Sequence, residues 1–85
     1  MSTTKYIQLR KIIQFHGVSR QEVEEWTEYE FFHIHRESDE EWITEEDLDQ
    51  VEQVIRLYRD LGVNSPGIDI ILRLTRKLEQ LQEGG

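Results

Sequence analysis

Residues 44–62 constrain the fold most. Thr44 stands three residues before Asp47, a spacing at which a threonine hydroxyl caps the open amides of a helix start. Ile43 and Leu48 flank that cap as a hydrophobic staple. Glu45, Glu46 and Asp47 fill the first turn, where the helix dipole favours negative charge. Leu48, Val51, Val54, Ile55, Tyr58 and Leu61 then recur on one face, and Gly62 supplies the left-handed residue that ends a helix. The pattern predicts a helix over 44–61. Glu45, Asp49, Glu52, Arg56 and Arg59 line its opposite stripe.

A second start lies upstream. Ser19 and Glu22 make the S-x-x-E capping box, with Val18 and Val23 placed to staple it. Gly17 just before is suited to close a preceding helix. That helix is read within 5–15, where Leu9, Ile12 and Ile13 share a face; Tyr6-Ile7 reads either as its start or as a short strand. The capped helix covers about 20–29. Val23, Trp26 and Thr27 occupy one face, and Glu22, Glu24, Glu25, Glu28 and Tyr29 the other. Helix, glycine turn and capped helix over 6–30 is the helix-turn-helix pattern.

Residues 31–43 alternate, Phe31, His33 and His35 against Phe32 and Ile34, which predicts a hairpin with Glu37-Ser38-Asp39-Glu40 as its polar tip and Trp42-Ile43 on the return strand. A last helix is expected over 65–82, with Ser65 as cap and Pro66 at its first position. Ile71, Leu74, Leu78 and Leu81 are spaced 3, 4, 3, a two-heptad seam suited either to capping the domain itself or to pairing with a second copy. The whole of 1–85 is read as one domain, mainly α.

Charge is distributed in blocks. Residues 22–52 hold fourteen acids and one base, Arg36, whereas residues 1–20 hold four bases and no acid. Four of the acids, Glu22, Glu24, Glu25 and Glu28, fall on the helix that, in a DNA reader of this pattern, enters the major groove. Net charge of −8 also opposes phosphate contact, so DNA is not the expected partner. No cysteine is present, which excludes disulfides, thiol nucleophiles and thiolate metal sites. His33 and His35 would share a strand face, but two histidines without a third ligand do not define a metal site. No catalytic constellation, phosphate loop or cofactor motif is readable, and an enzyme is not expected. No apolar run spans a bilayer and no secretory leader is readable, so a soluble cytoplasmic protein is expected.

The order of elements resembles the MerR-type winged helix-turn-helix: HGVSRQEVEEW is similar to its first two helices, and WITEEDLDQVEQVIRLYRDLGV to the helix after its wing. DLGVNSPGIDIILRLTRKLEQLQ resembles the CbpM chaperone-modulator branch. The likeness covers roughly Tyr6 to Gln82. It implies a small β-hairpin wing (31–43) and two longer C-terminal helices. It also implies a protein that binds the J-domain of a DnaJ-like co-chaperone and inhibits it, the basic second helix of that domain being a match for an acidic face. The second helix lacks the arginines and aromatic pair that DNA-binding members use.

From the charge map and the resemblance, Glu22, Glu25, Glu28, Glu45, Glu46 and Asp49 are expected to supply charge to such a partner, and Tyr29 contact area. Trp26 and Trp42 each read as core or as an interface anchor. A DNA-binding regulator, dimeric through the last helix, and a plain oligomerisation module are the other readings.

Overall fold

A computed structural model describes residues 3–84; Met1, Ser2 and Gly85 lie outside them. The element order is β1 (Tyr6–Gln8), α1 (Leu9–His16), α2 (Arg20–Glu28), β2 (His35–Glu37), β3 (Glu40–Thr44), α3 (Glu45–Asp60) and α4 (Ser65–Gly84). The architecture is a mainly helical, MerR-like winged helix with a small antiparallel sheet of order β1-β3-β2.

The helix starts and stops follow local chemistry. Gly17 takes φ 68° and its amide returns to the Ile13 carbonyl, closing α1. The Ser19 hydroxyl accepts from the Glu22 amide at 3.0 Å, and the Glu22 carboxylate accepts from the Ser19 amide at 2.8 Å. Val18 and Val23 beside this box are both buried. Thr44 accepts from the Asp47 amide at 3.1 Å and opens α3.

The first strand settles the reading left open at Tyr6-Ile7. Ile7 pairs with Ile43 on β3, and the Glu45 amide donates to the Lys5 carbonyl at 2.9 Å. The N-terminal segment thus adds a third strand to the wing. Its backbone groups find partners there that no local turn offers.

Three expectations need correction. The hairpin does not begin at Phe31. Glu30 adopts φ 61°, with the Phe31 amide donating to Trp26 and the Glu30 amide to Thr27, a Schellman end for α2. This turn folds Phe31 and Phe32 into the core one after the other, so the strand starts only at His35 and His33 lies outside it. His33 and His35 therefore do not share a strand face. Second, Asn64 rather than Ser65 caps α4: its side chain accepts from the Gly67 amide at 3.0 Å, and its carbonyl accepts from Ile68. Ser65 is already helical and buried, and its hydroxyl donates to Glu25. Third, Leu61 is 69% exposed, because the chain turns at Gly62 before that position meets a neighbour.

The core gathers Leu9 and Ile12 of α1, Val23 and Trp26 of α2, Ile43 of β3, Val51, Val54 and Ile55 of α3, and Ile68 and Leu72 of α4. Both ends of the sequence thereby brace the helix pair that carries the acids. Burial of these side chains supplies the main stabilisation.

Candidate partner-binding surface

The face that α2 and the wing present together is built around Glu41. Its side chain, 16% exposed, accepts from Arg20 at the start of α2 and from Arg36 on β2, the latter at 2.9 Å. The two guanidiniums hold the Glu41 carboxyl below its ordinary range, the Arg20 hydrogen bond being the largest cause. Arg20 is shifted up in return and also meets Glu24 at 3.5 Å. The two bases of this face are thus neutralised within the protein. Glu24 and Glu28 remain at the exposed side of α2.

The acids expected to bind a partner divide into groups. Glu22 is turned inward: the Tyr58 hydroxyl and then the Ser19 amide hold its carboxyl below the ordinary range, and Tyr58 is pushed up in consequence. Glu25 accepts the buried Ser65 hydroxyl. Both therefore knit α2 to α3 and α4. Glu28 is exposed, and Tyr29 stacks on Phe31 at 5.4 Å with its ring partly open. Glu45, Glu46 and Asp49 are exposed at the start of α3. Glu46 lies twelve residues from Tyr58, the residue on which Glu22 docks, which at 1.5 Å per residue is about 18 Å along α3. The outward acids lie on α2 and at the α3 N-terminus, and Glu30 just beyond α2 shares a shallow hollow with Glu46 and Asp47.

Three further bases meet partners. Arg59 donates to the His16 carbonyl, Arg73 meets Asp69 at 3.2 Å, and His16 approaches Glu52 at 3.8 Å. No group of three His, Cys, Asp or Glu able to hold a metal occurs among the described residues, and no helix among them is long and apolar enough to cross a membrane.

Helix α4 has two apolar faces. Ile68 and Leu72 enter the core and Ile71 is half-buried, while Leu74, Leu78 and Leu81 are 56%, 60% and 71% exposed. Ile70 joins the exposed stripe.

The clamp at Glu41 escaped the sequence reading. It required knowing that Ser38 and Asp39, at φ 52° and 64°, form a two-residue turn, which sets Arg36 opposite Glu41. Neither residue is a glycine, so the usual signal for that turn is missing.

A winged helix-turn-helix whose second helix shows acid and whose wing-side arginines, Arg20 and Arg36, are bound to Glu41 defines the class: a regulatory domain of helix-turn-helix build. The chain belongs to the MerR helix-turn-helix family of regulatory proteins, whose family model matches residues 7–84. No curated protein and no solved structure matches it.

Proposed function

We propose that this chain is a chaperone modulator of the CbpM type, which binds the J-domain of a DnaJ-like co-chaperone in the cytoplasm and inhibits it by occlusion. It acts by binding, without catalysis or cofactor. The observation that carries this reading is the α2 and wing face, where Glu41 holds both arginines, Arg20 also meets Glu24, and Glu28 is left outermost. Such a face repels phosphate and attracts the basic helix of a J-domain. Glu28 and Tyr29 form the α2 contact, and Glu45, Glu46 and Asp49 a second patch that steers approach. Glu22 and Glu25 fix the pose of α2. The exposed stripe of Leu74, Leu78 and Leu81, with Ile71 at its edge, pairs two copies.

The family's description as helix-turn-helix regulatory proteins leaves a second reading, a DNA-binding regulator. One experiment separates the two: calorimetric titration with a J-domain from the same organism and, in parallel, with duplex DNA, each at low and high salt. Salt-sensitive J-domain binding that weakens in Glu24→Lys/Glu28→Lys, with no heat from DNA, supports the modulator. Binding to DNA alone returns the chain to the regulators.

A further inference from the structure

The outer face of the wing sheet carries a groove that the α2 patch does not use. Strand pairing sets which side chains share that face. Trp42 lies opposite His35 and Gln8, and Glu37 opposite Glu40, so Tyr6, Trp42, His35, Glu37 and Glu40 point the same way. Ile7, Ile43, Arg36 and Glu41 take the other side, where Ile43 is fully buried. On the outer side Tyr6, Ile34, His35, Glu37, Glu40 and Trp42, together with Arg36 and Ser38, line an open groove of about 760 Å³; the Arg36 guanidinium itself is bound to Glu41. The Tyr6 and His35 rings meet edge to face across it at 5.4 Å.

Two independent features of this groove point to one kind of ligand. Glu37 and Glu40 are direct cross-strand partners, and like charges placed opposite one another destabilise a hairpin. Among the described residues neither forms an ion pair, since the nearby Arg36 and Arg20 are both bound to Glu41. The neighbouring walls are the aromatic rings of Trp42 and Tyr6, the latter half exposed. An aromatic ring attracts a cation over its face, Trp most strongly, and the two carboxylates supply its counter-charge. A groove of this breadth with aromatic walls suits a weakly hydrated organic cation on an alkyl stem.

We infer that the outer face of the wing sheet docks a basic peptide segment, with an arginine side chain seated against Trp42 and Tyr6 and held by Glu37 and Glu40. The net charge of −8 draws such a segment in, and the groove decides where it rests. Cation binding relieves the repulsion between Glu37 and Glu40. This site shares no residue with the α2 and α3 patches and holds whether or not the partner is a J-domain.

The test is nuclear magnetic resonance titration of the isotope-labelled chain with the peptide Ac-GRGRGR-NH2, with Ac-GEGEGE-NH2 as control. Saturable shifts of the Trp42 indole and of the amides of residues 34–42 are expected with the basic peptide only. Glu37→Gln/Glu40→Gln should weaken binding roughly two- to thirtyfold, the range of two exposed ion pairs. The same variant should melt no lower than the parent, since it removes a repulsion, so the loss is not one of fold. Glu24→Lys/Glu28→Lys should retain the Trp42 shift, which separates this groove from the α2 patch. Shifts confined to α2 and α3 with Trp42 unmoved, or unchanged affinity in the Glu37/Glu40 variant, would overturn the inference.

Discussion

Glu30 occupies the left-handed position that ends α2, at φ 61°, and its replacement by glycine should stabilise the protein. The perturbation is purely conformational in intent. The left-handed conformation costs a residue with a Cβ about 1–2 kcal/mol. Glycine removes that cost but loses about 0.5–1 kcal/mol more backbone entropy on folding. The difference predicts a gain of about 0.5–1 kcal/mol for Glu30→Gly, or roughly 2–8 °C in Tm for a domain of this size. Glu30→Gln keeps the strain and removes the charge, and should stay within about 0.5 kcal/mol of the parent. Gly62 supplies the reciprocal case. It sits at φ 64° with no atom within 4 Å of an added Cβ, so Gly62→Ala should lose about 1 kcal/mol from backbone strain alone. Urea denaturation of the four proteins, monitored by the buried Trp26, reads all the values. A lower midpoint for Glu30→Gly would show that the glutamate side chain stabilises the turn by more than its backbone conformation costs.

Other outcomes follow from the same geometry. Glu22 and Glu41 are held below their ordinary values, so their contribution is complete above the unfolded-state carboxyl range and is lost as pH falls through the depressed folded values; thermal melts of Glu22→Gln against pH should show a flatter acid limb than the parent. Tyr58 is shifted up, so its contribution holds below the ordinary tyrosine range and is lost as pH rises through the higher folded value; Tyr58→Phe melts should lose the alkaline dependence. Asn64→Ala should cost about 1 kcal/mol through the lost α4 cap, measured by chemical denaturation, and the result fails if Ser65→Ala alone carries that cap loss. Leu72→Ala should cost about 2–4 kcal/mol in the same assay, whereas Leu74→Asp should leave a dilute monomer folded and abolish any dimer seen by sedimentation.

The elements that announced themselves were those whose chemistry is local. Ser19 with Glu22, and Thr44 with Asp47, satisfy helix amides within one turn, so residue types three apart suffice to mark them. Phe31 and Phe32 misled because their alternation with His33 and His35 imitates a strand. The left-handed turn at Glu30 has no glycine to announce it. The cap of α4 was displaced by one residue because both Asn64 and Ser65 are capping types, and only the contact of Ser65 with Glu25, forty residues away, decides between them.

The candidate surface divides in the same way. Sequence by itself determined the helix-turn-helix order, the long third helix, and the concentration of acid over residues 22–52, because periodicity, caps and charge are counted along the chain. Tertiary structure decided which acids face outward. Glu22 and Glu25 are used to hold α2 against Tyr58 and Ser65, Glu41 is used to bind Arg20 and Arg36, and Glu37 is set against Glu40 beside Trp42. The physical reason is that a carboxylate's availability depends on which donor lies beside it in space, and the donors to Glu41 and Glu25 stood 5, 21 or 40 residues away.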